Sequence, residues 1–190
     1  MKYRNAILLT LLFSMLSSGC SANDLKVLEL PIERAAEAGV TVNRAGHPIE
    51  LPLQSLTDAT FVGSDGELIL YADGRSLYAT VVSSEDWGNP PIQMNQAPGY
   101  IFNRDFSAIE DAASRKEIEG ISRMNLDEEG GRQLSTVTIK NTTIFIAFGA
   151  NKSVLMLTTP DKPDQFSQLV LNGFSWDQLE KDILKGIGSM

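Results

Sequence analysis

Reactive side chains are scarce in this chain. It has one cysteine and one histidine among 190 residues. A lone cysteine cannot make an intrachain disulfide, so the fold must rest on core packing. Zinc sites need several His or Cys ligands, and His47 supplies a single one. A Ser-His-Asp triad would also depend on His47, which stands between Gly46 and Pro48. No G-x-S-x-G elbow offers the serine, so His47 reads as an exposed loop residue. There is no G-x-x-x-x-G-K-[ST] run, and "VGSDGE" and "EEGGR" do not have the form of phosphate cradles. "NLDEEGGRQ" and "GSDGE" lack the alternating acids of a calcium loop and read as turns. Positive charge is sparse too. Sixteen Lys and Arg face 24 Asp and Glu, for a net charge of −8. Such a chain is repelled by phosphate backbones and anionic lipid surfaces, which argues against a nucleic-acid partner and is compatible with a basic protein one. Acidity of this size is also ordinary solubility chemistry. The early apolar run, Ala6 to Leu16, is about eleven residues, against the ~20 a spanning helix needs.

That apolar run has informative flanks. Lys2 and Arg4 precede it, and Ser17, Ser18 and Gly19 lead from it to Cys20. A basic start, a short greasy stretch and a small-residue exit describe a secretory signal peptide. The segment Leu16-Ser17-Ser18-Gly19-Cys20 resembles the lipobox of bacterial lipoproteins, with Leu16 one place earlier than the leucine more common in that family. The resemblance implies cleavage after Gly19 and acylation of Cys20 by palmitate-type chains. That covalent lipid is the one attached group expected, with no other cofactor and no metal. Several acyl chains anchor a protein stably where one does not. Ser21 follows the cysteine where inner-membrane retention in enterobacterial-type lipoproteins favours Asp. By analogy this implies the outer membrane, on its periplasmic rather than its cell-surface face. Residues 1–19 hold two basic and no acidic side chains, so the mature chain would carry −10.

The expected organisation is a signal peptide at 1–19, a lipidated N-terminus and tether at 20–27, and a single periplasmic domain at 28–190. A helical turn or two is expected around Ile32 to Ala38, ended by Gly39. "RAGHPIELPLQ" reads as extended loop because of Pro48 and Pro52. "ATFVG", "ELILYA" and "SLYATVV" are joined by Asp-Gly turns and predict a three-strand meander over 59–82. Residues 83–100 form the longest irregular stretch, either a binding loop or a plain connector with Trp87 tucked onto the core. Ser107 and Glu110 suggest a capping box for a helix over 106–119, with Phe106, Ile109, Ala113 and Ile118 near one face. "QLSTVTI", "TIFIAFG" and "SVLMLTT" predict a second meander, with Asn141 and Asn151 in its turns. "TIFIAFG", apolar on both faces, predicts a central strand covered on both sides.

Two helices are expected at the C-terminus. The first spans Asp161 to Asn172, with Phe166, Leu169 and Val170 inward. The second is capped by Ser175 and Gln178, with Phe174 and Leu179 as a staple and Trp176, Leu179, Ile183 and Ile187 on one face. The fold class that follows is α+β: an antiparallel sheet of about five to six strands with helices on at least one face. The order is compatible with small α-β-α sandwich domains such as the Mog1/PsbP-like group, a likeness of fold that carries no function.

Three functions remain open. The first is a non-enzymatic, membrane-anchored lipoprotein whose domain binds another envelope protein. The second is an immunity-type lipoprotein that blocks a toxic effector with a preformed acidic or concave face. The third is an envelope hydrolase using carboxylates, none of which the sequence singles out. Trp87 and Tyr100 are the candidate binding-loop aromatics, placed to stack on a sugar or peptide or to serve as core edges.

Overall fold

A computed structural model describes residues 25–29, 39–43, 45–63, 66–127 and 131–188. The expected signal peptide, Cys20 and the expected helical turns at 32–38 lie outside the described residues. The strands in chain order are β1 (Lys26–Val27), β2 (Gly39–Val42), β3 (Ile49–Pro52), β4 (Thr60–Gly63), β5 (Glu67–Leu70), β6 (Ser76–Ser83), β7 (Gln133–Ile139), β8 (Thr142–Phe148), β9 (Lys152–Thr158) and β10 (Gln165–Asn172). Helices α1 (Ala97–Asn103) and α2 (Ala112–Leu126) lie between the meanders. At the C-terminus α3 (Trp176–Gln178) and α4 (Lys185–Gly188) flank a π-helical stretch at Leu179–Leu184.

The architecture is α+β, with a larger sheet than expected. Eight strands run in the order β1-β7-β8-β9-β10-β6-β5-β4, and β2 and β3 form a separate hairpin. The sheet is antiparallel except where β1 runs parallel to β7. Both meanders form as expected from their alternating apolar residues and tight turns. In the β7–β8 turn it is Lys140, not Asn141, that takes the left-handed conformation, at φ 54°.

The expected helix over 161–172 is instead β10, which joins the two meanders by pairing with β9 and β6. Its period is two. Ser167, Leu169 and Leu171 share one face and are all buried. Ser167 is polar, which masks the alternation and leaves Phe166, Leu169 and Val170 at a misleading helical spacing.

Two apolar layers sandwich the sheet. On one side the β2–β3 hairpin and the C-terminal helical run bury Ile49, Leu51, Leu179, Ile183 and Leu184 against Ile144, Ile146, Leu155, Leu157 and Leu169. On the other side α1 and α2 bury Ile101, Phe102, Ile118 and Leu126 against Ala147, Val154, Met156 and Phe166. β8 is central and covered on both faces, as its composition predicts. The Ser175–Gln178 capping box is present, and Phe174 and Leu179 are buried beside it. The π-helical stretch turns both Ile183 and Leu184 inward, together with Asp182. Gly186 presses against the backbone of Glu50 so closely that a Cβ would collide with its carbonyl, which seats the helix on β3.

Candidate functional site

The 83–100 stretch is a built structure. Asp86 accepts from the backbone N–H and hydroxyl of Ser83 at 2.7 and 2.8 Å, which starts a short 3-10 turn at Glu85–Trp87. Trp87 lies edge-on to Phe166, ring centroids 5.6 Å apart, and is therefore an anchor of the stretch on the core. Asn95 donates from its side chain to the Thr159 carbonyl at 3.1 Å, and its backbone N–H bonds Pro163. A second 3-10 turn, Met94–Gln96, then leads into α1. Pro98 sits in the first turn of α1, where its missing N–H leaves no partner wanting. Ile101 and Phe102 fix α1 to the sheet, Phe102 lying 5.4 Å from Phe145.

The expected capping box at Ser107 and Glu110 does not form. Ser107 turns back to Asp105, donating from both its backbone N–H and its hydroxyl, at 3.1 and 2.6 Å. The helix starts later, where Asp111 accepts from the Ser114 N–H at 2.7 Å. Its inward residues are Ser114, Ile118, Ser122 and Leu126, and Ala113 is exposed. The crossing before it is pinned by Arg115, whose Nε and Nη2 both donate to the Ile109 carbonyl at 3.0 and 2.6 Å. Ile109 itself is fully buried.

Between these two pinned segments lies an open groove of about 740 Å³. One wall carries Pro91, Ile92, Gln93, Gln96 and Tyr100, and the other Ala108, Glu110 and Asp111. Tyr100 is half-buried and its hydroxyl donates to Gln96 Oε1 at 3.3 Å. The Ser114 backbone N–H and hydroxyl hold the Asp111 carboxyl below its usual range, so it is an anion at neutral pH. The groove thus offers one aromatic and one proline beside an acidic rim, and among the described residues no basic one lines it. Of the two aromatics expected here, Tyr100 lines the groove and Trp87 does not. Glu110 and Asp111 went unrecognised as partners of Tyr100, because only folding brings the 105–111 crossing alongside α1.

His47 is not an exposed loop residue. It is buried, held by two residues distant in sequence. Asn43, in the left-handed region at φ 56°, closes the turn before it by accepting from Gly46 N and donating Nδ2 to the His47 carbonyl. Ser167 Oγ lies 2.9 Å from both the His47 backbone N and Nδ1, and Thr159 Oγ1 lies 3.3 Å from Nε2. Because Ser167 Oγ accepts from the backbone N–H, its own proton is free to point at Nδ1. The ring then donates from Nε2 to Thr159, whose side chain hydrogen-bonds Asp161. Burial first, and Lys162 second, lower the His47 pKa to about 4, against a smaller opposing pull from Asp161. The imidazole is neutral at pH 7. Ser167 is fully buried and cannot meet a substrate, so the pair clamps the hairpin to β10 and is not a nucleophile with its base.

A third polar cluster surrounds Arg75. Its guanidinium stacks 4.6 Å from the Tyr71 ring centre and 4.7 Å from that of Phe174. Nε bonds Asp73 at 2.7 Å, while Nη1 stands 3.7 Å from Asp182. Burial pushes Asp182 above its usual range against the pull of Arg75, and pushes the Tyr71 phenol up to about 12. A cavity of about 360 Å³ adjoins this cluster, lined by Gln54, Ser55, Arg75, Asp177, Gln178, Lys181 and Asp182. Its two acids differ, Asp177 being exposed and Asp182 buried beside a cation. Two buried acids facing one cleft do not occur among the described residues, Asp182 being the one buried carboxylate there. Nor does a group of three or more His, Cys, Asp or Glu placed to hold a metal.

No known family model matches the chain, and neither does a curated protein or a solved structure.

Proposed function

We propose that this protein is a bacterial lipoprotein, anchored through acylated Cys20, whose periplasm-facing domain binds another envelope protein at the groove between Pro91 and Asp111. The observation that carries the binding reading is that groove. It is preformed, because Trp87, Asn95 and Arg115 pin both walls. It is open, and it joins one aromatic to an acidic rim, which fits a basic segment of a partner with an apolar anchor. The lipid anchor rests on the signal-like start and the lipobox-like run at Leu16–Cys20. The same preformed acidic concavity also suits an immunity-type lipoprotein that occludes a basic toxin, and this is the second reading.

The test is co-purification from gently solubilised envelopes through a C-terminal tag. A dominant partner that is lost on Tyr100→Ala or Glu110→Lys supports the groove, and one retained in both variants rejects it. Intact mass reports the anchor. Wild type should carry acyl mass at Cys20, and a Cys20→Ala protein should leave the membrane fraction. Wild type without acyl mass refutes the lipoprotein reading.

A further inference from the structure

The eight-stranded sheet carries an apolar row that runs out of the core. Val154 on β9 lies opposite Val170, Val170 opposite Tyr78, Tyr78 opposite Leu68, and Leu68 opposite Val62 on β4. Directly opposed residues project from the same face, so these five form one ladder on the side that bears α1 and α2. The helices cover only its inner end. Val154 is buried, Val170, Tyr78 and Leu68 are half-buried, and Val62 is 48% exposed. Gly66 lies against the Tyr78 ring with no room for a Cβ, which lets the chain pass close to the ladder just before β5. Exposed Leu70, two residues along from Leu68, shares this face, while exposed Phe61 stands on the opposite face across from Ile69.

Among the described residues, the ladder ends at a sheet edge with no strand beyond it. β4 is the last strand, and all four of its residues are exposed. It is short, but from Thr60 to Gly63 it has neither the proline nor the charged residue that often blunts an edge. The surrounding sequence is acidic on both sides. No Lys or Arg stands between Arg44 and Arg75, while Glu50, Asp58, Asp65, Glu67 and Asp73 do. A second copy added at this edge would bring that acid-only stretch against itself.

We propose that β4 is a docking edge for an extended, basic-flanked segment of a partner protein. The segment adds as a further strand beyond β4, places an apolar side chain beside Val62 to continue the ladder, and sets Lys or Arg against the acidic flanks. None of these residues lines the Pro91–Asp111 groove, so this edge stands or falls independently of that site.

Two synthetic peptides test it on the full chain in detergent. Both have an alternating Thr-Val core, one with Lys at each end and the other with Glu. The Lys peptide should bind roughly tenfold more tightly by fluorescence anisotropy. It should slow amide hydrogen exchange at Thr60–Gly63 and leave Lys26–Val27 unchanged. Val62→Lys should weaken binding roughly tenfold with the unfolding temperature unchanged, because the side chain is exposed. Tyr100→Ala should leave binding intact. Equal binding of the two peptides, no binding of either, or protection elsewhere would overturn the proposal. So would concentration-dependent dimerisation abolished by Val62→Lys, which would make a second copy the occupant.

Discussion

His47 and Arg75 each put a buried nitrogen cation-former beside the same apolar layer, and the fold treats them in opposite ways. Around His47 every polar atom is matched. Ser167, Thr159 and Asn43 supply partners, and the ring stays neutral. Around Arg75 the charge is kept, cradled by two aromatic faces and one close carboxylate, while Arg75 Nη1 and the Tyr71 hydroxyl have no hydrogen-bond partner among the described residues. A satisfied neutral network fixes geometry at little net cost, whereas a partly satisfied ionic one is held by packing around it. The first therefore works as a clamp between distant segments. The second is tolerant, because its stability comes from stacked apolar surface more than from the ion pair.

The largest expected effect is at the clamp. Ser167→Val should destabilise the protein by about 3 kcal/mol, because it strands both the backbone N–H and Nδ1 of His47 in the interior. Chemical denaturation would show this as a lower midpoint. The next is pH. Above 6.5 His47 is neutral in folded and unfolded chains alike, and contributes no slope. As pH falls from 6.5 to about 4, the unfolded chain takes up a proton that the folded one refuses. Stability should drop by about 2 kcal/mol across that window, allowing for partial screening, and His47→Gln should flatten the drop. At the other cluster, Arg75→Met should cost about 1 kcal/mol, since the aliphatic chain still fills the space between Tyr71 and Phe174. Adding Asp182→Leu should recover most of it, and a double-mutant cycle would read the coupling. The smallest effect is expected at Asp73→Asn, where an exposed carboxylate is lost and thermal unfolding should shift by a degree or so. If Arg75→Met proved as damaging as Ser167→Val, the contrast between the two clusters would fail.

Much of this fold was legible in the sequence because local chemistry and final structure agree there. Asp-Gly turns and alternating apolar residues mark β4 to β6, and Ser175 with Gln178 marks the final cap. Failures fall where a residue answers to a distant partner. Ser167 is polar because it holds His47 from 120 residues away, and that polarity hid β10. Residues 83–100 read as one irregular stretch, yet Pro98 and Gly99 lie in the first turn of α1, whose support is Phe145 and the sheet. The candidate site was half visible. Tyr100 stood out in its irregular stretch, whereas Glu110 reads as a capping residue until the 105–111 crossing is seen to be pinned by Arg115. His47 was misjudged for the same reason as β10, since nothing nearby in sequence reveals that the residue is enclosed.

The placement of β1 has a consequence for how the domain would sit on a bilayer. β1 pairs with β7 and forms one outer edge of the sheet, beginning at Lys26. Six residue steps separate Lys26 from Cys20, a reach of at most about 20 Å. An acylated Cys20 would therefore keep the β1–β7 edge close to the lipid headgroups. The β4 edge is seven inter-strand spacings away, about 34 Å at ~4.8 Å each before twist. The sheet itself would act as the spacer. With the domain standing on its β1–β7 edge, the exposed hydrophobic strand would lie away from the headgroups, in aqueous space.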